Sequence, residues 1–505
     1  MPIPVYDIAI VGGGISGCGV ARDAAGRGLT VHLCEKGDLS GAASSASTKL
    51  VHGEFRHGRH VPFGKYREAL EERDILLAAA PHLARPVRVV MPKGRSSAPG
   101  FLSSAKYFAY DSLGGRKYLA KTRRIDLHGN QAGRPLKRGF GSGFEFSDCW
   151  VDDARLVLAN AVDAKAHGAH IHTRTRCVAA RRADSYWRLL LESTETGERQ
   201  QIAARALVNA TGAWVADVLE NSIQGDARAF VRQVKTTHIV TRRLYHHDGS
   251  YVLRAGDGRV VFVVPFEQDF TLIGAASTEY HGDPGGSVPN EEDIDYLCNV
   301  VGRYFREPLE RAAIRFVYSG VSPVSDDQPR GRVSSGDYTL DLDGSEGSSP
   351  LVSIIGGSAA TYRRIAEKTL AGLSPFLRVG EPWTSHVPLP GGGFAVGGSG
   401  DLVRALRAAY PFLSELHAER LVNSYGTRAA TILTGARRPE DLGHNFGYDL
   451  TEAEVAYLMA EEWAVTAGDV LWRRSWLGLR FSDDQRDVLD AWMSDRRGQA
   501  TVAST

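Results

Sequence analysis

The stretch Val5-Tyr6-Asp7-Ile8-Ala9-Ile10-Val11-Gly12-Gly13-Gly14-Ile15-Ser16-Gly17, answered by Leu29-Thr30-Val31-His32-Leu33-Cys34-Glu35, decides the fold. An apolar run leads into a glycine turn, a helix follows, and a second apolar run ends on an acid. Gly12 permits the tight turn, Gly14 lets backbone approach a pyrophosphate, and Gly17 lets the helix lie against the sheet. The helix start adds N–H groups and positive dipole with Ile15 and Ser16. Glu35, followed by Lys36, is placed to accept hydrogen bonds from ribose hydroxyls. A lone GxGxxG would be weak, but strands on both sides and the terminal acid make the unit a strong signal for an adenine dinucleotide. Its place at the start of the chain favours FAD over a nicotinamide, although the fingerprint alone does not separate them.

A chain of 505 residues predicts two or three domains. Hydrophobic content of 43% and charged content of 24% are ordinary for a soluble globular protein. A formal charge of +1 argues against a nucleic-acid partner, which calls for a basic surplus. Cys18, Cys34, Cys149, Cys177 and Cys298 show no CxxC spacing, so neither a metal site nor a disulfide framework is expected and the compartment reads as reducing. No signal peptide precedes the first strand, and no apolar run approaches the roughly twenty residues that cross a bilayer. The expected location is cytoplasmic.

The pattern is α/β to about Leu377. Pro388-Leu389-Pro390-Gly391-Gly392-Gly393 and Gly397-Gly398-Ser399-Gly400 then break any regular element, predicting a linker over 388–400 with helices beyond it. Capping boxes at Thr451-Glu452-Ala453-Glu454 and Ser482-Asp483-Asp484-Gln485 announce two of those helices. Val455, Leu458, Met459 and Trp463 form an apolar stripe that reads as core. Ahead of the linker, three short segments suit one cofactor site. Ser44-Ser45-Ala46-Ser47-Thr48-Lys49-Leu50 offers small hydroxyls, and Val208 to Trp214, with Thr211 and Gly212, is a strand ending in a small-residue turn. Gly356-Gly357, then Ser358-Ala359-Ala360, opens a helix whose amino end favours an anionic reduced flavin.

The order of these strings, with Asp23-Ala24-Ala25-Gly26-Arg27-Gly28-Leu29, Ser147-Asp148-Cys149-Trp150-Val151-Asp152-Asp153-Ala154-Arg155-Leu156, Asp337-Tyr338-Thr339-Leu340-Asp341 and Leu471-Trp472-Arg473-Arg474, resembles the FAD-dependent glycerol-3-phosphate dehydrogenases of the aerobic, quinone-reducing type. The resemblance covers nearly the whole chain. It implies an α/β fold: a Rossmann-like FAD-binding domain over 1–80, 150–230 and 330–377, an antiparallel-sheet substrate domain over 81–149 and 231–329, and a helical cap over 401–505. It also adds Val178 to the cofactor set.

Departures from the family pattern cluster where its substrate should lie. Ser322 follows Tyr318-Ser319-Gly320-Val321 where the family has an arginine, and Ser358 follows Gly356-Gly357 where it has a lysine. Ala275-Ala276-Ser277 replace two threonines and an aspartate, Glu54 replaces a glycine, and His57 replaces a tyrosine. A phosphate dianion in a dry pocket must meet cations or dense N–H donors. Losing an arginine and a lysine removes them. Ser277, Ser322, Ser358, His238 and Tyr362 are therefore the substrate-pocket candidates, and His52, Glu54, Arg56 and His57 the catalytic ones, with a histidine or Glu54 taking the proton that accompanies hydride transfer to flavin N5.

The expected activity is oxidation of a small amine, hydrazine or hydroxy compound in place of glycerol 3-phosphate. An authentic respiratory dehydrogenase and a flavin-binding protein of little turnover stay open. Quinone or dioxygen is the expected electron acceptor. Phe101, Leu102, Tyr107, Phe108, Tyr110 and Leu113 beside Lys106, Arg116, Lys117, Lys121, Arg123 and Arg124 are compatible with peripheral membrane contact. A packed amphipathic helix with a solvated basic end fits the same residues equally well, and a homodimer stays open.

Overall fold

Parallel strands buried on both faces read as near-continuous apolar runs, and the opening unit follows this except at Asp7 and His32. The computed structural model describes residues 3–51, 63–94, 117–183, 185–223, 231–325, 338–345 and 348–503. Among them β1 (Val5–Val11) lies between β2 (Val31–Cys34) and β10 (Arg199–Asn209), both parallel to it. β7 (His170–His172) extends the sheet beyond β2, while β17 (Leu351–Gly356) and the antiparallel β16 (Tyr338–Asp343) extend it beyond β10. The β8 (Thr175–Ala183) and β9 (Tyr186–Ser193) hairpin hangs on β10. Helices α1 (Ile15–Gly26), α3 (Asp153–Ala166) and α5 (Tyr362–Leu373) pack together in one core with Ile8, Ile10, Leu33 and Val208. The carboxyl ends of β1, β2, β10 and β17 lie on one edge, which brings Gly12, Glu35, Thr211 and Gly357 to a common rim.

The second sheet has the order β15-β11-β14-β13-β12-β4-β6-β3, with β5 (Arg123–Asp126) paired to β6. Its strands are β3 (Leu50–Val51), β4 (Ala84–Lys93), β6 (Ser142–Val151), β11 (Val231–Arg242), β12 (Ser250–Arg254), β13 (Val260–Phe266), β14 (Phe270–Tyr280) and β15 (Ile314–Ser325). All pairs are antiparallel except β4 with β12. Helix α4 (Glu291–Tyr304), capped where Asn290 accepts from the Asp293 N–H at 2.9 Å, buries Leu297 and Val301 against Ile239 and Ile273 on one face. The other face meets the first sheet's loops so closely that a Cβ on Gly320 would stand 2.8 Å from Ala46 Cβ. Helix α2 (Phe63–Ala79) leads into β4.

From Pro388 to Gly398 there is neither helix nor strand, but the segment is pinned. Leu389 N–H donates to the Ala79 carbonyl at 2.8 Å and the Gly391 carbonyl accepts from Thr427 N–H at 3.0 Å. Gly391 has φ +87°, where a side chain would also strike the Tyr425 carbonyl. Beyond it α6 (Ser399–Ala409), α7 (Glu415–Tyr425), α8 (Glu452–Glu461) and α9 (Asp483–Ala503) enclose a separate core with Leu421, Val455, Leu458 and Val470. Ser482 and Gln485 form the reciprocal capping box, at 3.2 and 3.1 Å. The box expected at Thr451 does not form, although α8 does begin there. Glu454 is instead drawn to Arg420 at 2.7 Å and to the Tyr425 hydroxyl at 2.8 Å, because a buried carboxylate gains more from a guanidinium than from one backbone N–H. Trp463 lies past the end of α8 and packs on the first core.

No helix among the described residues is long and apolar enough to cross a membrane. The five cysteines are free.

Candidate active site

Backbone sterics build the dinucleotide cradle. Gly12 has φ +112°, and a Cβ there would sit 2.5 Å from the Ala210 carbonyl oxygen. A Cβ on Gly17 would overlap the Gly12 carbonyl, and one on Gly14 would sit 3.0 Å from Ser44 Oγ. Gly14 precedes α1 in extended backbone and brings no side-chain cap of its own; Ile15 N–H goes to Ser44 Oγ, and the amides after it are left for an anion. The Glu35 carboxylate accepts from Gly13 N–H at 2.7 Å and from Gly37 N–H at 2.8 Å. Burial nevertheless pushes its pKa up, those two bonds opposing. Lys36 Nζ lies 3.6 Å over the Trp214 ring.

The later segments divide between lining and support. Ser44 Oγ accepts from Ile15 N–H at 3.0 Å, joining this loop to the α1 start, and Ser45 closes its own turn on the Ala42 carbonyl. Ser47 Oγ donates to Asp153 at 2.6 Å, and Lys49, fully buried, is ion-paired with the same carboxylate. Their side chains therefore brace the start of α3. The Leu50 side chain packs with Val89, Phe146 and Trp150 instead of facing a cofactor, because it opens β3 of the second sheet. Thr48 precedes β3 and Val178 sits at the β8 bulge. Thr211 Oγ1 donates to Asn209 at 2.6 Å beside Gly212 at φ +58°. Gly357, at φ +93°, leads to Ser358, whose Oγ accepts from Ala360 N–H at 3.2 Å while its own N–H donates to Thr361 Oγ1 at 3.0 Å. Where the family pattern has a lysine, this chain has a hydroxyl that closes the turn Ser358-Ala359-Ala360 ahead of α5.

Strand register assembles the facing wall. Cross-strand partners share a face, so three rows project together: Gly274, His238 and Tyr318; then Ser277, Thr236 and Gly320; then Glu279, Val234 and Ser322. Thr236 and Ser277 hydroxyls are 3.5 Å apart. His238 stacks on Tyr318 with centroids 5.0 Å apart, and Gly274 is required because any Cβ there would enter the imidazole. Tyr318 is fixed in turn by its hydroxyl on the Ser47 carbonyl at 2.9 Å and by Trp476 of the C-terminal domain. Neither nitrogen of His238 has a hydrogen-bond partner among the described residues.

These three rows carry no lysine or arginine. The next row outward carries Arg232 opposite Val324. Lys235 projects to the other face, where it pairs with Asp293 at 3.0 Å, and Arg363 pairs with Glu72 at 2.8 Å. Tyr362 is corrected from pocket to core. As the first residue of α5 it is buried, its ring lying against Gly19 of α1. His52, Glu54, Arg56 and His57 lie outside the described residues, as do 101–116 of the membrane-contact candidate. Thr236 and Tyr318 were missed in the sequence. The period of two along Lys235-Thr236-Thr237-His238 would have paired Thr236 with His238 on one face.

Burial lowers His32, His82 and His238 from the ordinary 6.5 to about 3, helped by His172, Arg155 and Lys49 respectively. All three are neutral in the fold at pH 7. Below 6.5 the unfolded chain takes up protons that the folded chain refuses until about 3, so stability is full above 6.5 and declines across that window. Each imidazole contributes at most about 1.4 kcal/mol per pH unit. Glu267, pushed by burial to about 7, opposes this by one proton between 4.5 and 7. Thermal melts at stepped pH are expected to show Tm falling from pH 7 to 4, with a shallower slope in His32→Phe; an unchanged slope would remove His32 from the account.

Comparison with known proteins agrees with this geometry. The family described as FAD dependent oxidoreductase matches residues 7–363, and the C-terminal domain of alpha-glycerophosphate oxidase matches 382–494. A glycerol-3-phosphate dehydrogenase of Pseudomonas aeruginosa is 44% identical over 97% of this chain and 95% of its own length. A D-erythritol 1-phosphate dehydrogenase of Brucella abortus is 42% identical over 97% and 98%, and the aerobic glycerol-3-phosphate dehydrogenase of Escherichia coli 40% over 96% and 97%. In fold, the glycerol-3-phosphate dehydrogenase of Bacillus halodurans complexed with FAD superposes with a TM-score of 0.76 at 23% identity, covering 97% of this chain and 90% of that one. The glycine turn, the acid at Glu35 and the α1 start fit an adenine dinucleotide of this kind, and the chain belongs to the FAD-dependent oxidoreductases of the glycerol-3-phosphate dehydrogenase family.

Proposed function

We propose that this enzyme oxidises a small neutral or cationic metabolite, an amine, a hydrazine or a hydroxy compound, in place of glycerol 3-phosphate. The observation that carries this is the hydroxyl-rich wall of Thr236, Ser277 and Ser322, whose three rows hold no cation. Serine and threonine hydroxyls pair with uncharged donors and acceptors but do not neutralise a dianion. When bound, FAD supplies the hydride acceptor. His238, a neutral ring stacked on Tyr318, shapes that wall, and the base for the accompanying proton is His52, Glu54 or His57. Quinone or dioxygen then takes the electrons, with Lys117, Lys121, Arg123 and Arg124 on the candidate membrane side.

Identity of 40 to 44% to enzymes named for phosphorylated polyols supports a second reading, in which Arg232 and Arg56 would supply the anion contact. An anaerobic screen of flavin reduction against phosphates, hydroxy acids, uncharged hydroxy compounds, amines and hydrazines separates the two. The proposal expects bleaching by an amine, a hydrazine or an uncharged hydroxy compound and not by an anion. Bleaching by phosphorylated polyols alone would overturn it.

A further inference from the structure

We infer that Arg473 and Arg474 of the C-terminal domain are positioning residues for the FAD site, because they fix the loop that grips the glycine turn. Glu35 holds the Gly13 N–H, and five residues later Ser40 N–H donates to the Gly13 carbonyl at 3.1 Å. The loop between them thus clasps Gly13 from both sides. Asp38 stands in the middle of that loop, its side chain only 4% exposed. Arg474, fully buried, donates to both Asp38 oxygens, the Nη2 bond measuring 2.8 Å, and Arg473 Nε donates to one of them. Arg474 is itself oriented by the Glu462 carbonyl at 2.6 Å, and Arg473 by Asp469. Asp469 also pairs with Arg174 at 2.5 Å, whose main-chain N–H reaches the Gly37 carbonyl at 2.9 Å.

The same loop is therefore tied to the C-terminal domain at its side chain and at its backbone. A buried carboxylate loses its compensation when a guanidinium leaves, so docking of this domain and closure of the loop come as one event. FAD affinity and domain docking are then linked, and each strengthens the other.

The test is titration of FAD-free protein with FAD, read by quenching of flavin fluorescence, beside thermal melts of the same apoprotein. Arg474→Met and Asp38→Asn are each expected to raise the FAD Kd on the order of 10- to 100-fold. The double variant should raise it little further, since both changes break one contact. Arg474→Lys, a point charge without the planar fork, should recover part of the loss. The comparison is Ser482→Ala, which removes the cap of α9 inside the same domain and touches neither the loop nor the contacts that dock the domain on it. It is expected to lower Tm with Kd unchanged. If Arg474→Met does not fold, Asp38→Asn and Arg473→Met carry the test, Arg473 being partly exposed. Wild-type Kd in those two variants, with Tm reduced as in Ser482→Ala, would overturn the inference and leave the arginines a purely structural role.

Discussion

Gly17→Ala is expected to purify nearly colourless. Its Cβ would overlap the Gly12 carbonyl and stand 3.4 Å from Ala210 Cβ, so α1 must withdraw from the turn that receives the pyrophosphate. Overpacking of this kind costs about 3 kcal/mol at its upper end, roughly a hundredfold in FAD affinity when it falls on the binding turn itself. Gly302→Ala is the control, because a Cβ there meets nothing within 4 Å and the position lies inside α4. That variant should stay yellow. Flavin absorbance per mole of purified protein and an FAD titration check both, and a yellow Gly17→Ala protein with wild-type affinity would show that the cofactor does not use this turn.

Ser322→Arg with Ser358→Lys is expected to create flavin reduction by glycerol 3-phosphate while impairing the native substrate. Charged hydrogen bonds are worth about 1.5 to 3 kcal/mol each, so two new cations on one dianion correspond to roughly 10²- to 10⁴-fold in kcat/KM. The two changes should couple, since both address one ligand. Ser358→Lys also removes the hydroxyl that receives the Ala360 N–H, a loss of about 1 kcal/mol that a melt of the single variant isolates. No gain over the unmodified protein would place the anion contact elsewhere, on Arg232 or the Arg56 segment.

The glycine unit was legible because its chemistry is local: spacing alone fixes which residues turn, which approach and which accept. Ser482 and Gln485 were legible for the same reason. Tyr362 was misplaced because a residue after a cofactor turn looks like lining until the packing of α5 on α1 points its ring inward. Lys49 stood in a segment read for its cofactor contacts, and its ion pair with Asp153, distant in sequence, left no local trace. Thr451 shows the same limit, its expected partner Glu454 being claimed by Arg420. The wall of Thr236, Ser277 and Ser322 depends on the register of three strands, and the clasp of Asp38 by Arg474 joins chain segments more than four hundred residues apart, with |i−j| of 436. Neither relation leaves a periodic trace in one sequence.

The central claim is that this pocket has exchanged a phosphate dianion for an uncharged or cationic ligand. Anaerobic mixing of the FAD-loaded wild-type protein with saturating glycerol 3-phosphate tests it most directly. The account predicts that the flavin stays oxidised over the time in which a neutral or cationic substrate bleaches it; rapid and complete bleaching by glycerol 3-phosphate would contradict it.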